Sequence, residues 1–532
     1  MKWKLLFKIL LGMVAFAILL VFIVLVFAEP WAERKILSAI NNYNKGYLVK
    51  AEVIDFSIVA SAIELKNITI TSIPVKGTTN YLSGKIASVR ISGINLIQIL
   101  LKKGIYLRKV IITGSFIEGR IPFPKKTAPP IISNQKIRVG SILFDTLDLS
   151  LKYDSTARAF SVRKGFFKLL DLQINRKDTI SPAMIHEFDF NADELFTISS
   201  DSMYSFRAIG IRYFADSSRL AADSFSILPN YPDYEFSSKH EFQTDRIEAG
   251  LSNIYFHGFS PADYFKSGEL VCSYIEIGKL EMNIFRDKRK KFQHVNKPVF
   301  QDLMVGYPGK LQIDSIGILD GNITYAEHAP GASDQGKISF NNIHAGVYNI
   351  TNDTLYKKVK GNTVLRAEAL LMGKGKLSVA LKARLFDKNN VFTVNGSLSG
   401  MEADALNPIL EYSAFMYATS GRIDALNFQF TANNTKATGK MTLLYHGLNI
   451  AVKNKQTNDT TALKERIVSI LANNILLNSN PLPRKEVRVG IIVNERDPER
   501  FVFNYAFKSI LSGMKSSLLR NPEKEIRRRK SK

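Results

Sequence analysis

The sequence predicts a mainly β protein: an N-terminal transmembrane helix followed by a long, twisted, largely antiparallel β-sheet groove with a few short amphipathic helices. Three observations lead there. An uncharged run fills Ile9–Ala28, apolar and polar residues alternate with period two over most of the remaining chain, and apolar residues at helical spacing are confined to a few short stretches.

As a helix, the uncharged run rises about 30 Å, the thickness of a bilayer core. Lys2, Lys4 and Lys8 precede it, and the positive-inside bias keeps such lysines in the cytoplasm. Residues 1–28 are therefore expected to form a cytoplasmic basic tip and a membrane anchor, with Ile9, Leu10, Leu11, Phe16, Leu19, Leu20, Phe22, Ile23, Leu25 and Phe27 in lipid. Residues 29–532 then lie on the far side. The competing reading is a cleaved signal peptide, because Val26-Phe27-Ala28 has the small-residue spacing that a signal peptidase accepts.

Charge and cysteine usage narrow the partners. The excess of 72 Lys and Arg over 48 Asp and Glu, a net +24, favours an anionic partner. Export removes nucleic acid from the candidates and leaves acidic lipid. Cys272 is the sole cysteine, so no intramolecular disulfide is available and the thiol is expected to act as a small buried apolar group.

Residues 29–121 open with a helix, "WAERKILSAINNY", whose Ile36, Leu37 and Ile40 share a face suited to the membrane surface. Strands follow in "LVKAEVIDFSIVASAIELKNITITSIP" (48–74), a second helical patch in "INLIQILLKK" (94–103), then strands in "IYLRKVIITGSFIEGRIPF". Residues 122–135, with Pro122, Pro124, Pro129 and Pro130, read as a linker.

Residues 136–455 read as repeated β-hairpins. "KLQIDSIGILDGNITYAEH" (310–328) alternates as two short strands folded about Asp320-Gly321. "KIRVGSILFDTLDLSL" (136–151) aligns with it without gaps, pairing Ile137 with Leu311, Val139 with Ile313, Ile142 with Ile316, Phe144 with Ile318 and Leu149 with Ile323. "IYLRKVIITGSFIEG" (105–119) and "SYIEIGKLEMNIF" (273–285) share a two-strand cadence. The competing reading is that any amphipathic hairpin looks like any other. The basic run "RDKRKK" (286–291) is expected to cap a hairpin, and "GKGK" (373–376) to be a turn.

Residues 456–520 read as helix, strand, helix: "TALKERIVSILANNILL" (461–477), "EVRVGIIVNERD", and "FVFNYAFKSILSGMKSSLLR" (501–520). On the last, Phe501, Phe503, Phe507, Ile510, Leu511, Met514 and Leu518 are candidates to face lipid or a partner; the alternative is that this helix plugs the end of the sheet. Residues 521–532 are a basic tail.

Catalytic and metal motifs do not emerge. The seven histidines form no HxH or HExxH pair, and there is no GxSxG elbow or Walker loop. No cofactor and no enzymatic activity are expected; a hydrolase remains only as a remote alternative.

Both ends of the chain resemble a known family. The anchor, the short helix, "VKAEVIDFSIVASAIELKNITI" and "KKGIYLRKVIITG" look like the start of AsmA-like envelope proteins. "GRIDALNFQFTANNTKATGKMTLLYHGLNIAV" (421–452) and "RFVFNYAFKSILSGMKSSL" (500–518) are similar to the C-terminal region of AsmA-like and DUF748-type members. The resemblance implies a bridge-like lipid transfer protein, related in architecture to the TamB and chorein group and held in the inner membrane with its bulk in the periplasm. It implies phospholipid or another acyl lipid as ligand, and bridging partners in the periplasm or outer membrane.

The strand pattern leads to a compatible expectation. At about 15 residues per strand and turn, roughly 480 exported residues make some 30 strands. A sheet with one apolar face and too few helices to cover it must close on itself or shelter apolar guests. The groove-lining candidates are Ile137, Val139, Ile142, Phe144, Leu311, Ile313, Ile316, Ile318, Ile323, Tyr325, Leu443 and Tyr445. The alternative function is a scaffold that docks outer-membrane proteins by strand addition at sheet edges, without lipid transfer.

Overall fold

A computed structural model describes residues 29–41, 47–73, 81–95, 104–121, 136–153, 159–174, 187–453 and 475–520. The anchor, the 122–135 linker, most of the 94–103 patch, most of the 461–477 helix and the basic tail lie outside these residues. No helix among the described residues is long and apolar enough to cross a membrane. The chain divides into two compact units, 1–222 and 223–532.

The first unit begins with α1 (Glu29–Asn41) and continues through nine strands: β1 (Tyr47–Lys50), β2 (Val53–Ser57), β3 (Ala62–Ser72), β4 (Tyr81–Ser92), β5 (Ile105–Ile121), β6 (Ile137–Tyr153), β7 (Ala159–Ile174), β8 (Glu187–Ile198) and β9 (Tyr204–Phe214). β1 and β2 both pair with β3, and from β3 to β9 each strand pairs with the next. The pairing of β5 with β6 is parallel and the others are antiparallel. α1 packs on β2, where Glu33 Oε1 accepts the Phe56 amide at 2.9 Å and so occupies a backbone donor on the outer edge.

β10 (Arg219–Pro229) crosses the boundary between the units. The second unit continues with α2 (Asp233–Ser238), β11 (Asp245–His257), α3 (Pro261–Ser267), β12 (Leu270–Asp287), α4 (Phe300–Val305), β13 (Leu311–His328), β14 (Gly336–Thr351) and α5 (Thr354–Lys360). Then come β15 (Thr363–Leu371), β16 (Gly375–Ala383), β17 (Phe392–Glu402), α6 (Asn407–Ser413), β18 (Met416–Ala432), β19 (Lys436–Val452), β20 (Val489–Glu495) and α7 (Val502–Leu518). From β11 to β20 each strand pairs with its successor; only β12 with β13 is parallel. The fold is thus mainly β, mostly antiparallel, with few and short helices, as the alternation predicts.

The hairpin expectation for 310–328 is corrected. These residues form one strand, β13, whose register to β12 runs through the supposed turn as Lys279↔Asp320, Leu280↔Gly321 and Glu281↔Asn322. Likewise 105–119, 137–151 and 273–285 lie in the single strands β5, β6 and β12. Strands of up to 18 residues, rather than pairs of short ones, explain why the described residues hold twenty strands and not some thirty. "RDKRKK" caps no hairpin: it begins at the end of β12, and the next strand, β13, runs parallel to β12. The sequence similarity itself coincides with a structural one. Its two copies are the two parallel pairs, and each opens on an equivalent bond, Ile105 N to Lys136 O and Leu270 N to Lys310 O, both 2.8 Å.

What imitates a turn is a crease. In the first unit Asn67, Gly114, Thr146, Lys164 and Gly210 all have positive φ, between 46° and 63°. They fall at neighbouring ladder positions, where register stays continuous but a pair is missed or shifted. A left-handed residue resets the alternation, so the apolar side moves from Ile63 and Leu65 to Ile68 and Ile70 without leaving its face. β11 and the two residues after it show the same through Asn253 (φ 53°) and Gly258 (φ 70°): Ala249, Ile254 and Phe259 are all buried at a spacing of five, which strict alternation forbids.

Candidate apolar trough

Register builds two apolar rows across ten strands of the second unit. The first runs Ile254, Ile277, Ile318, Ala345, Ala367, Val379, Gly396, Phe428, Met441 and Gly490, one residue per strand from β11 to β20. The second runs Phe256, Ile275, Ile316, Val347, Leu365, Leu381, Val394, Phe430, Gly439 and Ile492. No polar side chain interrupts either. The row between them, on the opposite face, includes Glu276, Arg366, Asn395, Gln429 and Lys440.

The first unit repeats the arrangement. Ile54, Leu65, Val89, Ile112, Phe144, Phe167, Phe190 and Tyr213 form one row from β2 to β9, beside Phe56, Ile63, Ile91, Val110, Ile142, Leu169 and Phe188. Aromatic rings crowd its far end: Phe167 and Phe188 lie 5.6 Å apart, Phe188 and Tyr213 5.3 Å. The opposite face carries ion pairs, among them Arg90 with Glu64 at 2.9 Å and Lys168 with Asp189 at 3.4 Å.

Cover differs along the second unit's rows. From β17 to β20 they are sealed: Val394, Phe428, Phe430, Met441 and Ile492 are at most 5% exposed. α7 does this by laying Tyr505, Ser509, Gly513 and Ser517 on β19 and β20. Glycine on both sides permits the approach, since a Cβ at Gly490 would come within 2.5 Å of the Gly513 carbonyl oxygen. Ser512 and Ser516 then accept the outward amides of Val493 and Ile491, each at 3.0 Å. From β13 to β16 the rows are only half-buried. Over them pass a strap, residues 288–310, joined to the far side through Lys297 N to Pro498 O (2.7 Å) and Gln301 Nε2 to Asn390 O (2.9 Å), and α6, which touches β13, β14 and β18.

The expected residues sort accordingly. Ile142, Phe144, Ile316 and Ile318 stand in the rows and are half-buried. Ile323 pairs with Met282 and Phe340, and Tyr325 with Ile284 and Ile338, on the same side past the crease. Ile137 lies half-buried near the start of β6, while Val139, Leu311 and Ile313 are buried. Leu443 and Tyr445 belong to the sealed core, the Tyr445 hydroxyl donating to Leu477 O at 3.1 Å. On α7, Ile510, Met514 and Leu518 pack against that core, Leu511 is half-buried, and Phe501, Phe503 and Phe507 are exposed. Cys272 is buried, which pushes its thiol up to about 11. Only the row members of β6 and β13 are among the expected lining residues; those of the other strands were missed, though the same alternation marks them once the crease is allowed for.

One charged group interrupts the trough at its end under α6. Arg286 pairs with Asp245, and Lys288 with the buried Glu327, which also accepts from Tyr325 at 2.9 Å. Burial pushes the Glu327 carboxyl up, but the Lys288 ammonium with the Ser413 and Tyr325 hydroxyls outweighs it and holds the group below its ordinary value. Among the described residues no group of His, Cys, Asp and Glu is placed to hold a metal ion.

In each unit the fold and these rows define a mostly antiparallel sheet with one predominantly apolar face. No family model matches the chain, and no curated protein does.

Proposed function

We propose that the protein is a membrane-anchored β-trough that holds phospholipid acyl chains against its apolar rows and assists lipid transport across the cell envelope. This follows the AsmA-like resemblance, with the anchor in the inner membrane and the sheet in the periplasm. The observation that carries it is the pair of rows from β11 to β20, half-buried over β13–β16 and free of polar side chains. Sheltering a methylene there is worth about 0.8 kcal/mol, so some six of them give about 5 kcal/mol, enough to hold a tail and still release it.

The sealed end supports a trough that is closed at β17–β20 rather than open at both ends. Docking by strand addition is less well supported, because helix side chains already bond the outer strands at Phe56, Ile491 and Val493. The test is mass spectrometry of the full chain extracted in mild detergent. Phospholipid retained in near-stoichiometric amount is expected; a chain that leaves the membrane without acyl lipid contradicts the proposal.

A further inference from the structure

The second unit's two strand ends differ in what they expose. At the end carrying the β14–β15 and β16–β17 connections and the start of α7, Leu355 is 68% exposed, Val359 83% and Phe503 81%, with Phe386 and Phe507 also exposed. At the opposite end the connections 329–335, 372–374 and 403–415 expose no large apolar side chain; Tyr234 before β11, and Ile475 and Val487 ahead of β20, stand there singly.

α5 shows what the first of these ends fits. Leu355 and Val359, four apart, share its outward face with Lys358. Its inward side is fixed by Tyr356, which donates to Asp314 at 2.6 Å, and by Lys360, 3.6 Å from the same carboxylate. Asp353 turns its carboxylate to the Leu355 amide at 2.8 Å. The outward face is therefore two bare aliphatic side chains among lysines with no acid of its own. The start of α7 repeats it with Phe503, Phe507 and Lys508, while the nearby acids are engaged, Asp497 by Arg500 and Glu499 by His294.

We propose that this strand end docks on an anionic phospholipid bilayer surface, inserting Leu355, Val359 and Phe503 while Lys357 and Lys358 meet headgroup phosphates. Aliphatic and aromatic tips enter the boundary between headgroups and tails, and lysines reach back to the charge above them. The docking goes beyond the acyl-chain reading and does not depend on what occupies the rows.

The full chain in neutral phosphatidylcholine nanodiscs tests it. An environment-sensitive fluorophore is placed at V359C or F503C, with V487C at the opposite end as control; Cys272 is buried and does not label. On adding vesicles that contain phosphatidylglycerol, a blue shift and quenching by nitroxide lipid are expected at 359 and 503 and not at 487. At about five-fold per lysine near an anionic surface, K357Q/K358Q weakens vesicle binding about twenty-five-fold. No shift at 359 and 503, an equal shift at 487, or equal binding to pure phosphatidylcholine vesicles overturns the proposal.

Discussion

Gly513 lies against Ile492 so closely that a Cβ on it would come within 2.7 Å of the isoleucine Cγ1. This contact brings α7 down onto the last strands and closes the trough at one end. Gly513→Leu is expected to cost about 2 kcal/mol through overpacking, read by chemical denaturation, and to raise the exposure of Ile492 and Met441. Unchanged stability contradicts the seal.

The crease gives a second expectation. Asn253 has φ 53° and faces Gly278 across the ladder. Asn253→Val places a β-branched residue in the left-handed region and should lose about 1–2 kcal/mol. Asn253→Gly should stay within about 0.5 kcal/mol. Equal losses from the two would mean that side-chain contacts, not backbone conformation, fix the position.

The buried pair of Glu327 and Lys288 sets a pH dependence. With its folded value held below the ordinary carboxylate range, Glu327 contributes stability that is present above about pH 4.3, the unfolded value, and is lost as pH falls through the folded one. Lys288→Met strands the buried carboxylate and should cost about 3 kcal/mol at neutral pH, with a smaller loss in acid. A loss independent of pH rules this account out.

The edge of β20 is expected to depend on Ser512 and Ser516. Replacing both by Ala removes three hydrogen bonds at about 1 kcal/mol each and bares the amides of Ile491 and Val493 and the Val493 carbonyl. Light scattering should report more concentration-dependent association than the unaltered chain shows; a variant that associates no more than the unaltered chain argues that α7 shields the edge by bulk alone.

The apolar face was legible in the sequence because its residues are strongly biased: Ile316, Ile318, Ile142 and Phe144 were all found by alternation and all stand in the rows. The crease was not legible. A crease shifts the alternation by one, as a tight turn also does: the β12–β13 ladder misses the pair between Ile277↔Ile318 and Lys279↔Asp320, in line with the left-handed Asn253 of β11, so the adjacent Asp320-Gly321 read as a hairpin. The division of labour on α7 was hidden for another reason. Its deepest stripe is Tyr505, Ser509, Gly513 and Ser517, small and polar residues chosen for close approach, which a search for apolar periodicity passes over.

Val347 and Tyr348 are adjacent on β14 and point to opposite faces, the first into the apolar rows and the second outward. A photo-crosslinking residue at each position, activated in cells, tests the central claim most directly. The account predicts phospholipid attached to the protein carrying the crosslinker at 347 and none at 348. Equal labelling at both positions, or labelling at neither, contradicts it.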